Sequence, residues 1–424
     1  MTDMRLLVLC QEPVGERMAG AAIRAVELAR AAATVADVTI AAPSGSLPDI
    51  PVVPFEPHDA RSLRDPLASA DVVYGVPQWP LVMRALRRSG VRLVFDLYVP
   101  EYFETLEGFR ERDARLRRLM SALALDRIED ALADGDLLLC ATERQRDLLT
   151  GLLLGQRGLP PAAYDDDRSL DARLAVVPFG IPAAPPKRSA GATGPKARFG
   201  ATELVLWNGG IWGWLDPQTA IRAVTQLDRA GLRLVFMGAA SSPAAREATE
   251  AAKTLASQLG APVDFNDDWV RYDERADWLL DADAVISCHH DQLETRYAFR
   301  TRLLDCFWAQ VPIVCTGGDD LAARIAREDL GAVAAPGDVD GVAAGLVRVL
   351  QGDRAAYEAR LASAARRMTW EQTAAPLLDF LRSAGEHGQH SRRRPHAARA
   401  ARSRAYSLAR PLLNAAGLRD WPRA

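Results

Sequence analysis

The sequence predicts an α/β protein made of two doubly wound parallel-sheet domains, and three observations carry that expectation. Short β-branched runs alternate with amphipathic helical stretches. The alternation stops at a Pro/Gly-rich segment and then restarts. The chain is also too long, at 424 residues, for one ordinary domain.

The first series of apolar runs is "RLLVLC" at 5–10, "DVTIAAP" at 37–43, "DVVYGV" at 71–76, "VRLVFDLY" at 91–98, "DLLLCAT" at 136–142 and "LAVVPFG" at 174–180. They are nearly continuous in apolar character, the pattern of strands covered on both faces. Helical patterns separate most of them, among them "AAIRAVELARAAA" at 21–33 and the long run at 112–133. "IPAAPPKRSAGATGPKARFG" at 181–200 has no apolar periodicity and predicts a linker. The second series follows: "ELVLWNGG" at 203–210, "RLVFMG" at 233–238, "APVDFN" at 261–266, "DAVISCH" at 283–289, "VPIVCTGG" at 311–318 and "GAVAAPG" at 331–337. A last amphipathic helix is predicted over 368–383. The expected domains are therefore 1–183 and 203–367, with a linker at 184–202, a closing helix at 368–384 and a basic tail at 385–424. Two such domains in tandem imply a cleft into which the carboxyl ends of both sheets face.

Composition removes several classes of function. A net charge of −3 gives no general reason to expect nucleic acid. No apolar run of membrane-spanning length and no signal-peptide pattern is seen, so a cytoplasmic protein is expected. The five cysteines form no C-x-x-C pair and lie in apolar stretches, as free thiols would. Lysine occurs only at Lys187, Lys196 and Lys253, so side-chain contacts to phosphate fall to arginine, which can bind two oxygens at once. From Arg392 onward nine arginines face one acid, leaving the body with 43 basic and 54 acidic residues. That tail reads as a solvated segment, with weak peripheral contact to a membrane surface as the alternative.

Candidate chemistry gathers at the second series. "WNGGIWGWLDPQTAIRAV" at 207–224 follows the first strand of the second domain directly. Gly209 and Gly210 remove side chains where a ligand can approach the backbone. Asp216 and Pro217 suit the start of a helix whose N–H groups form an anion site. The spacing is not G-x-G-x-x-G, so the dinucleotide fingerprint is absent. "LETRYAFRTRLLDCFWAQVPIVCTGG" then reads as a loop, a helix and a buried strand. Glu294, Arg296, Arg300 and Arg302 lie in the loop and first helical turn, with Asp305 one turn on. Arg300 or Arg302 could clamp a diphosphate. Arg296 fits a solvated charge equally well. His289 and His290 fall at a strand end, where a core histidine and a functional one both fit. "YDDD" at 164–167 reads as a solvated loop rather than a metal site, and no metal cluster is evident.

These stretches, in this order, resemble the retaining family 4 glycosyltransferases of GT-B fold, in a divergent branch of actinobacterial type. "RTRLLDCFWAQVPIVCT" is similar to that family's basic residue, apolar pair, acid and V-P-[IV]-V strand. "AGAAIRAVELARAA", "LCATERQRDLLTGLLLGQRG" and "RYDERADWLLDADAVIS" resemble its opening helix, a helix on the interdomain side and the approach to its nucleotide site. The resemblance covers nearly all of the chain up to about residue 384. It implies two Rossmann-like domains facing a central cleft. It also implies a hexosyltransferase whose co-substrate is a nucleoside-diphosphate sugar, with GDP or UDP as the nucleotide and no other cofactor or metal.

By the same resemblance Gly209 and Gly210 meet the diphosphate by backbone, and Arg302 replaces a lysine. Backbone at Trp269 and Val270 meets the base, and Asp305 takes the place of the second glutamate of a pair, on the ribose. The first glutamate of that pair would fall at Tyr297, so Glu294 is the expected substitute. The lysine and arginine that usually follow the Gly-rich turn are absent. In the first domain Gly20 and Arg24 are expected at the cleft, with Asp96 and Tyr98 at a strand end and no histidine base in "VYGVPQWP". Asp96, His290 and Glu294 are the catalytic candidates. The acceptor would be a small molecule or a glycan, in natural-product assembly (a lincosamide-type thioglycoside is one case) or in the cell envelope. An NDP-sugar 2-epimerase and a nucleotide-sugar-binding scaffold are the alternatives.

Overall fold

The computed structural model describes residues 4–156, 158–238 and 243–384. It divides into two compact units, one of residues 1–178 with the chain from Trp370 onward, the other of residues 179–369.

The first unit is built on a seven-stranded parallel sheet. Its strands are β1 (Arg5–Leu9), β2 (Asp37–Ala42), β3 (Val52–Pro54), β4 (Val72–Gly75), β5 (Arg92–Asp96), β6 (Leu137–Cys140) and β7 (Leu174–Val176), in the order β3-β2-β1-β4-β5-β6-β7. Both β4 and β6 are buried at every residue, as sequence runs without polar alternation require of strands covered on two faces. Leu7, Leu9, Val73, Leu93, Phe95 and Leu138 form the centre of its core.

The second unit repeats the plan with six parallel strands. They are β8 (Glu203–Trp207), β9 (Leu232–Phe236), β10 (Val263–Phe265), β11 (Ala284–Ser287), β12 (Ile313–Thr316) and β13 (Gly331–Ala334), in the order β10-β9-β8-β11-β12-β13. The order reverses between β1 and β4 in one sheet and between β8 and β11 in the other. Flanking crossovers diverge there and leave a crevice at the carboxyl ends of the strands.

Three parts of the chain depart from the sequence expectation. The stretch predicted as a linker is held on the second unit. Arg188 pairs with Asp281 at 2.5 Å, Lys196 pairs with Asp283 at 2.8 Å, and Pro195–Phe199 is a short helix. The closing helix is two helices, Trp370–Thr373 and Ala375–Ser383, which return to the first unit and pack on the helix Gly20–Ala32. Pro376, having no N–H to donate, lies in the first turn of the second of these, where none is needed. The stretch "YDDD" lies mostly in a helix, Pro161–Asp166, with Tyr164, Asp165 and Asp166 exposed. The basic tail at 385–424 lies outside the described residues. All five cysteines are buried free thiols. Among the described residues no helix is long and apolar enough to cross a membrane.

The first unit holds a buried charge pair at the end of β5. Arg24 donates to both carboxylate oxygens of Asp96, at 2.6 and 3.1 Å, and to the Val177 carbonyl at 2.8 Å. The Tyr74 hydroxyl donates to Asp96 at 2.6 Å, and the guanidinium lies 4.7 Å from the Tyr98 ring centre. Replacing Arg24 by Met strands the Asp96 charge, so the first unit is expected to lose about 3–5 kcal/mol. Adding Asp96→Asn to that variant should recover part of the loss. Urea unfolding followed through the protected amides of β1 and β5 checks both.

Candidate functional site

The carboxyl edge of the second sheet, at the reversal between β8 and β11, brings most of the predicted residues together. β8 ends at the fully buried Trp207. The Asn208 side-chain amide donates to the Arg302 carbonyl at 2.7 Å, tying this strand end to the start of the helix Thr301–Ala309. Gly209 has φ +143°, a conformation that L side chains rarely adopt. A Cβ there would stand 3.3 Å from the Arg302 guanidinium carbon. A Cβ on Gly238, just past β9, would stand 2.4 Å from the backbone of Gly209 and Gly210. Two glycines, Gly209 and Gly238, therefore let two strand ends and one guanidinium close on the same point.

Arg302 is the charged group left over. It donates to the Gly210 carbonyl at 3.2 Å and lies 5.7 Å from the Trp207 ring centre. Among the described residues no carboxylate pairs with it. Burial first, and then the neighbouring Arg300, lower its pKa to about 10, so it stays cationic at neutral pH but is poorly neutralised.

Arg300 has the opposite fate, and its expected role as a diphosphate clamp is corrected. Its side chain is fully buried and pairs with Asp319 at 2.7 Å. It also donates to the carbonyls of Ser287 and Gly317 at 3.4 and 3.3 Å. Asp319 in turn accepts from the N–H groups of Leu321 and Ala322, capping the helix Asp320–Arg327. A guanidinium with all its neighbours inside the fold has nothing to offer a ligand.

The helix Pro217–Leu227 needs a second correction. Asp216 caps it, accepting from the Thr219 N–H at 3.0 Å and from the Thr219 hydroxyl at 2.5 Å. Its N-terminus already holds an anion of the protein's own.

The remaining residues spread along the same edge. Trp269 and Val270, beyond β10, are half-buried, and the Trp269 indole N–H has no hydrogen-bond partner. Asp305 is paired with Arg275 at 3.2 Å. Arg275 is itself packed over the Tyr272 and Trp308 rings, at 3.6 and 4.4 Å. On the other side of the turn, the segment read as loop is a short helix, Leu293–Tyr297. Its Glu294 is buried and weakly held, by Gln292 at 3.5 Å and Thr295 at 3.4 Å, and burial pushes its pKa up to about 7. Arg296 is exposed and solvated. His290 is half-exposed, with Nδ1 3.9 Å from the Asp216 carboxylate. His289 is buried with neither ring nitrogen hydrogen-bonded, and burial together with Arg300 drives its pKa well below the usual histidine value.

In the first unit the expected acceptor-side residues do not form an open site. Arg24 and Asp96 are each other's partners, 1% exposed, so neither is free for a ligand and Asp96 is not a base. Tyr98 is buried against Arg24, and Gly20 is the first residue of its helix with open space around it. The sequence reading missed Tyr74, Arg275 and Asp319. Only the third carried a local signal, an acid directly before a helical pattern.

With this geometry in hand, comparison with known proteins is informative about fold alone. No protein-family model matches the chain, and no curated protein is similar enough to it in sequence to count as a match. Solved structures do match. Sucrose-phosphate synthase from Thermosynechococcus elongatus superposes with TM-score 0.63 at 13% identity, over 90% of this chain and 98% of that one. Anabaena HepE in complex with UDP-glucose gives 0.65 at 14%, over 90% and 100%. WaaG, a glycosyltransferase involved in lipopolysaccharide biosynthesis, gives 0.62 at 17%, over 88% and 99%. The chain has the GT-B fold.

Two of the buried titratable groups at this edge, Glu294 and His289, act on stability in opposite directions. Native Glu294 keeps its proton to about pH 7, whereas the unfolded chain releases it near 4.5, so its contribution falls by about 3 kcal/mol as pH rises through that window. Native His289 stays neutral while the unfolded chain takes up a proton below 6.5, so its contribution is lost as pH falls. Glu294→Gln should therefore make stability rise with pH more steeply between 4.5 and 7 than in the wild type. Urea midpoints across that range measure it, and identical slopes would contradict the buried, weakly held state of Glu294.

Proposed function

We propose that the protein is a glycosyltransferase that moves a hexose from a nucleoside-diphosphate sugar to an acceptor. The observation that carries this is Arg302: a cation held in a half-buried position over a glycine turn, at a sheet reversal, with no carboxylate among the described residues paired to it. Such an arrangement suits an anion that can also take hydrogen bonds from backbone N–H groups. A diphosphate bound at Gly209 and Gly210 has that chemistry. UDP is the first choice of nucleotide, because a structure of similar fold, Anabaena HepE, carries UDP-glucose, and GDP is the second.

The step is displacement at the anomeric carbon through an oxocarbenium-like state. Its main demand is stabilising negative charge as the diphosphate departs. Arg302 lies where that charge develops and needs no reorganisation to meet it. The Asp305 oxygen that Arg275 leaves open would take a ribose hydroxyl, while backbone at Trp269 and Val270 faces the base. Glu294, close to half-protonated at neutral pH, can donate or accept at a sugar hydroxyl. Retention of configuration and an acceptor from natural-product or cell-envelope assembly belong to the proposal through the family 4 resemblance. Independence of metal belongs to it too, on the residues: arginine supplies the cationic charge and the sequence offers no clear ligand cluster.

A second reading has one observation in its favour. Glu294 titrates near neutrality and His290 lies on the same edge, as an acid–base pair in an NDP-sugar 2-epimerase would. Incubation with an NDP-hexose and no acceptor separates the two, since only an epimerase returns an isomerised sugar nucleotide.

Calorimetric binding of UDP, GDP, ADP and TDP tests the donor site. One nucleotide should bind clearly, and Arg302→Ala should weaken it by about 1.5–3 kcal/mol, the scale of hydrogen bonds to a charged group. Arg302→Lys should cost less, keeping the charge but losing the fork. Unchanged binding in Arg302→Ala would displace the diphosphate from this turn. Excess EDTA should leave the affinity unaltered; a large drop would show that a metal neutralises the diphosphate instead.

A further inference from the structure

The loop between Gly210 and the helix Pro217–Leu227 carries two tryptophans that nothing above employs. Trp212 and Trp214 are stacked, with ring centres 5.2 Å apart and planes 11° from parallel. Trp214 is buried, Trp212 is half-buried, and Gly213 between them is exposed with nothing near its Cβ position. A buried indole thus backs a partly open one. That makes a rigid aromatic surface, because the outer ring cannot collapse inward to hide its free area.

The position of this surface along the sheet edge is what gives it meaning. A Cβ on Gly210 would stand 3.6 Å from the Trp212 indole nitrogen, so the platform begins where the Arg302 contact ends. From there the loop runs toward the end of β11. The Trp214 carbonyl accepts from the Gln292 amide at 3.1 Å, Leu215 bridges to His289, and the Asp216 N–H donates to the Cys288 carbonyl at 3.0 Å. Three kinds of group therefore follow one another along the edge of the second unit. Trp269 and Val270 come first, beyond β10. The glycine turn and Arg302 come next, between β8 and β11. The tryptophan pair follows, with His290, Gln292 and Glu294 beside it.

We propose that Trp212 is the stacking platform for the pyranose ring of the donor, the sugar that is transferred. The inference rests on the donor reading above and names how its sugar is held. A pyranose has one apolar C–H face and a rim of hydroxyls. The tryptophan pair offers a flat apolar surface, and the Gln292 amide, which donates to the Trp214 carbonyl, offers a polar group beside it. Stacking holds the anomeric carbon beside the diphosphate without spending a charged contact on it.

The test separates the sugar from the nucleotide. Calorimetric affinities are measured for UDP, GDP, ADP and TDP, and for the glucose, galactose and mannose conjugates of each, with wild type, Trp212→Ala and Trp212→Phe. Thermal unfolding confirms that each variant is folded. The expected result is that at least one conjugate binds the wild type more tightly than its free nucleotide. Trp212→Ala should then lose about three- to tenfold in affinity for that conjugate while the free nucleotide changes less than twofold. Trp212→Phe should keep most of the sugar's contribution. Equal losses for nucleotide and conjugate would make Trp212 a support of the turn and overturn the proposal. So would a conjugate affinity that Trp212→Ala leaves unchanged, or a wild type for which no hexose improves on its nucleotide. If no nucleotide binds the wild type at all, the donor reading itself fails and this inference falls with it.

Discussion

Two buried charges, Arg300 and Asp319, fix the carboxyl edge of the second unit. They meet at 2.7 Å with their side chains essentially out of solvent, where a lone charge would be costly. Each also reaches the backbone. Arg300 gathers the carbonyls that close β11 and follow β12, and Asp319 caps the next helix. Because Arg300 is also the residue that starts the helix Thr301–Ala309, this pair sets where the helix begins. The direction in which Arg302 leaves it follows from that.

The contrast between two arginines two residues apart is a matter of what neutralises each. Arg300 has a carboxylate and two carbonyls, so its charge is absorbed by the fold. Arg302 has one carbonyl and a tryptophan ring, and a second arginine nearby that raises the cost of its charge. A protein gains no stability from holding a cation in this way. Two close-packed glycines, Gly209 and Gly238, make the arrangement fit. A device that is costly for folding and is nevertheless built with care is the mark of a site that expects its partner from outside.

The two parallel sheets were legible because their strands are buried on both faces and so appear as unbroken apolar runs between helical stretches. The glycine turn was legible for a related reason, since paired glycines straight after such a run exclude side chains at a strand's carboxyl end. What could not be read was pairing. From sequence, Arg24 and Asp96 are both expected at the cleft, the acid as a catalytic candidate at a strand end. They are 72 positions apart and neutralise one another. Asp305 and Arg275 are hidden from sequence in the same way, and so is the partnership of Arg300 with Asp319. Local pattern says where a charge sits, but its fate is decided by whichever residue the topology delivers opposite it.

That distinction also separates the two units chemically. At the end of β5 in the first unit, arginine, carboxylate and tyrosine hydroxyl close on themselves, with a carbonyl taking a further N–H. Every strong group there has a partner of its own chain, and the cluster's work is to hold β5 against the opening helix. At the reversal of the second sheet the balance is left open at one cation, and the groups around it are either neutral or close to it. Burial pushes the Glu294 pKa up to about 7, His289 stays neutral, and the helix end is already capped. An anion arriving at Arg302 would meet a cation that no carboxylate among the described residues pairs with, and that only the nearby, partly protonated Glu294 attracts. The burial that makes Arg302 costly to the fold would strengthen its hold on the diphosphate proposed above, because water is poorly placed to compete.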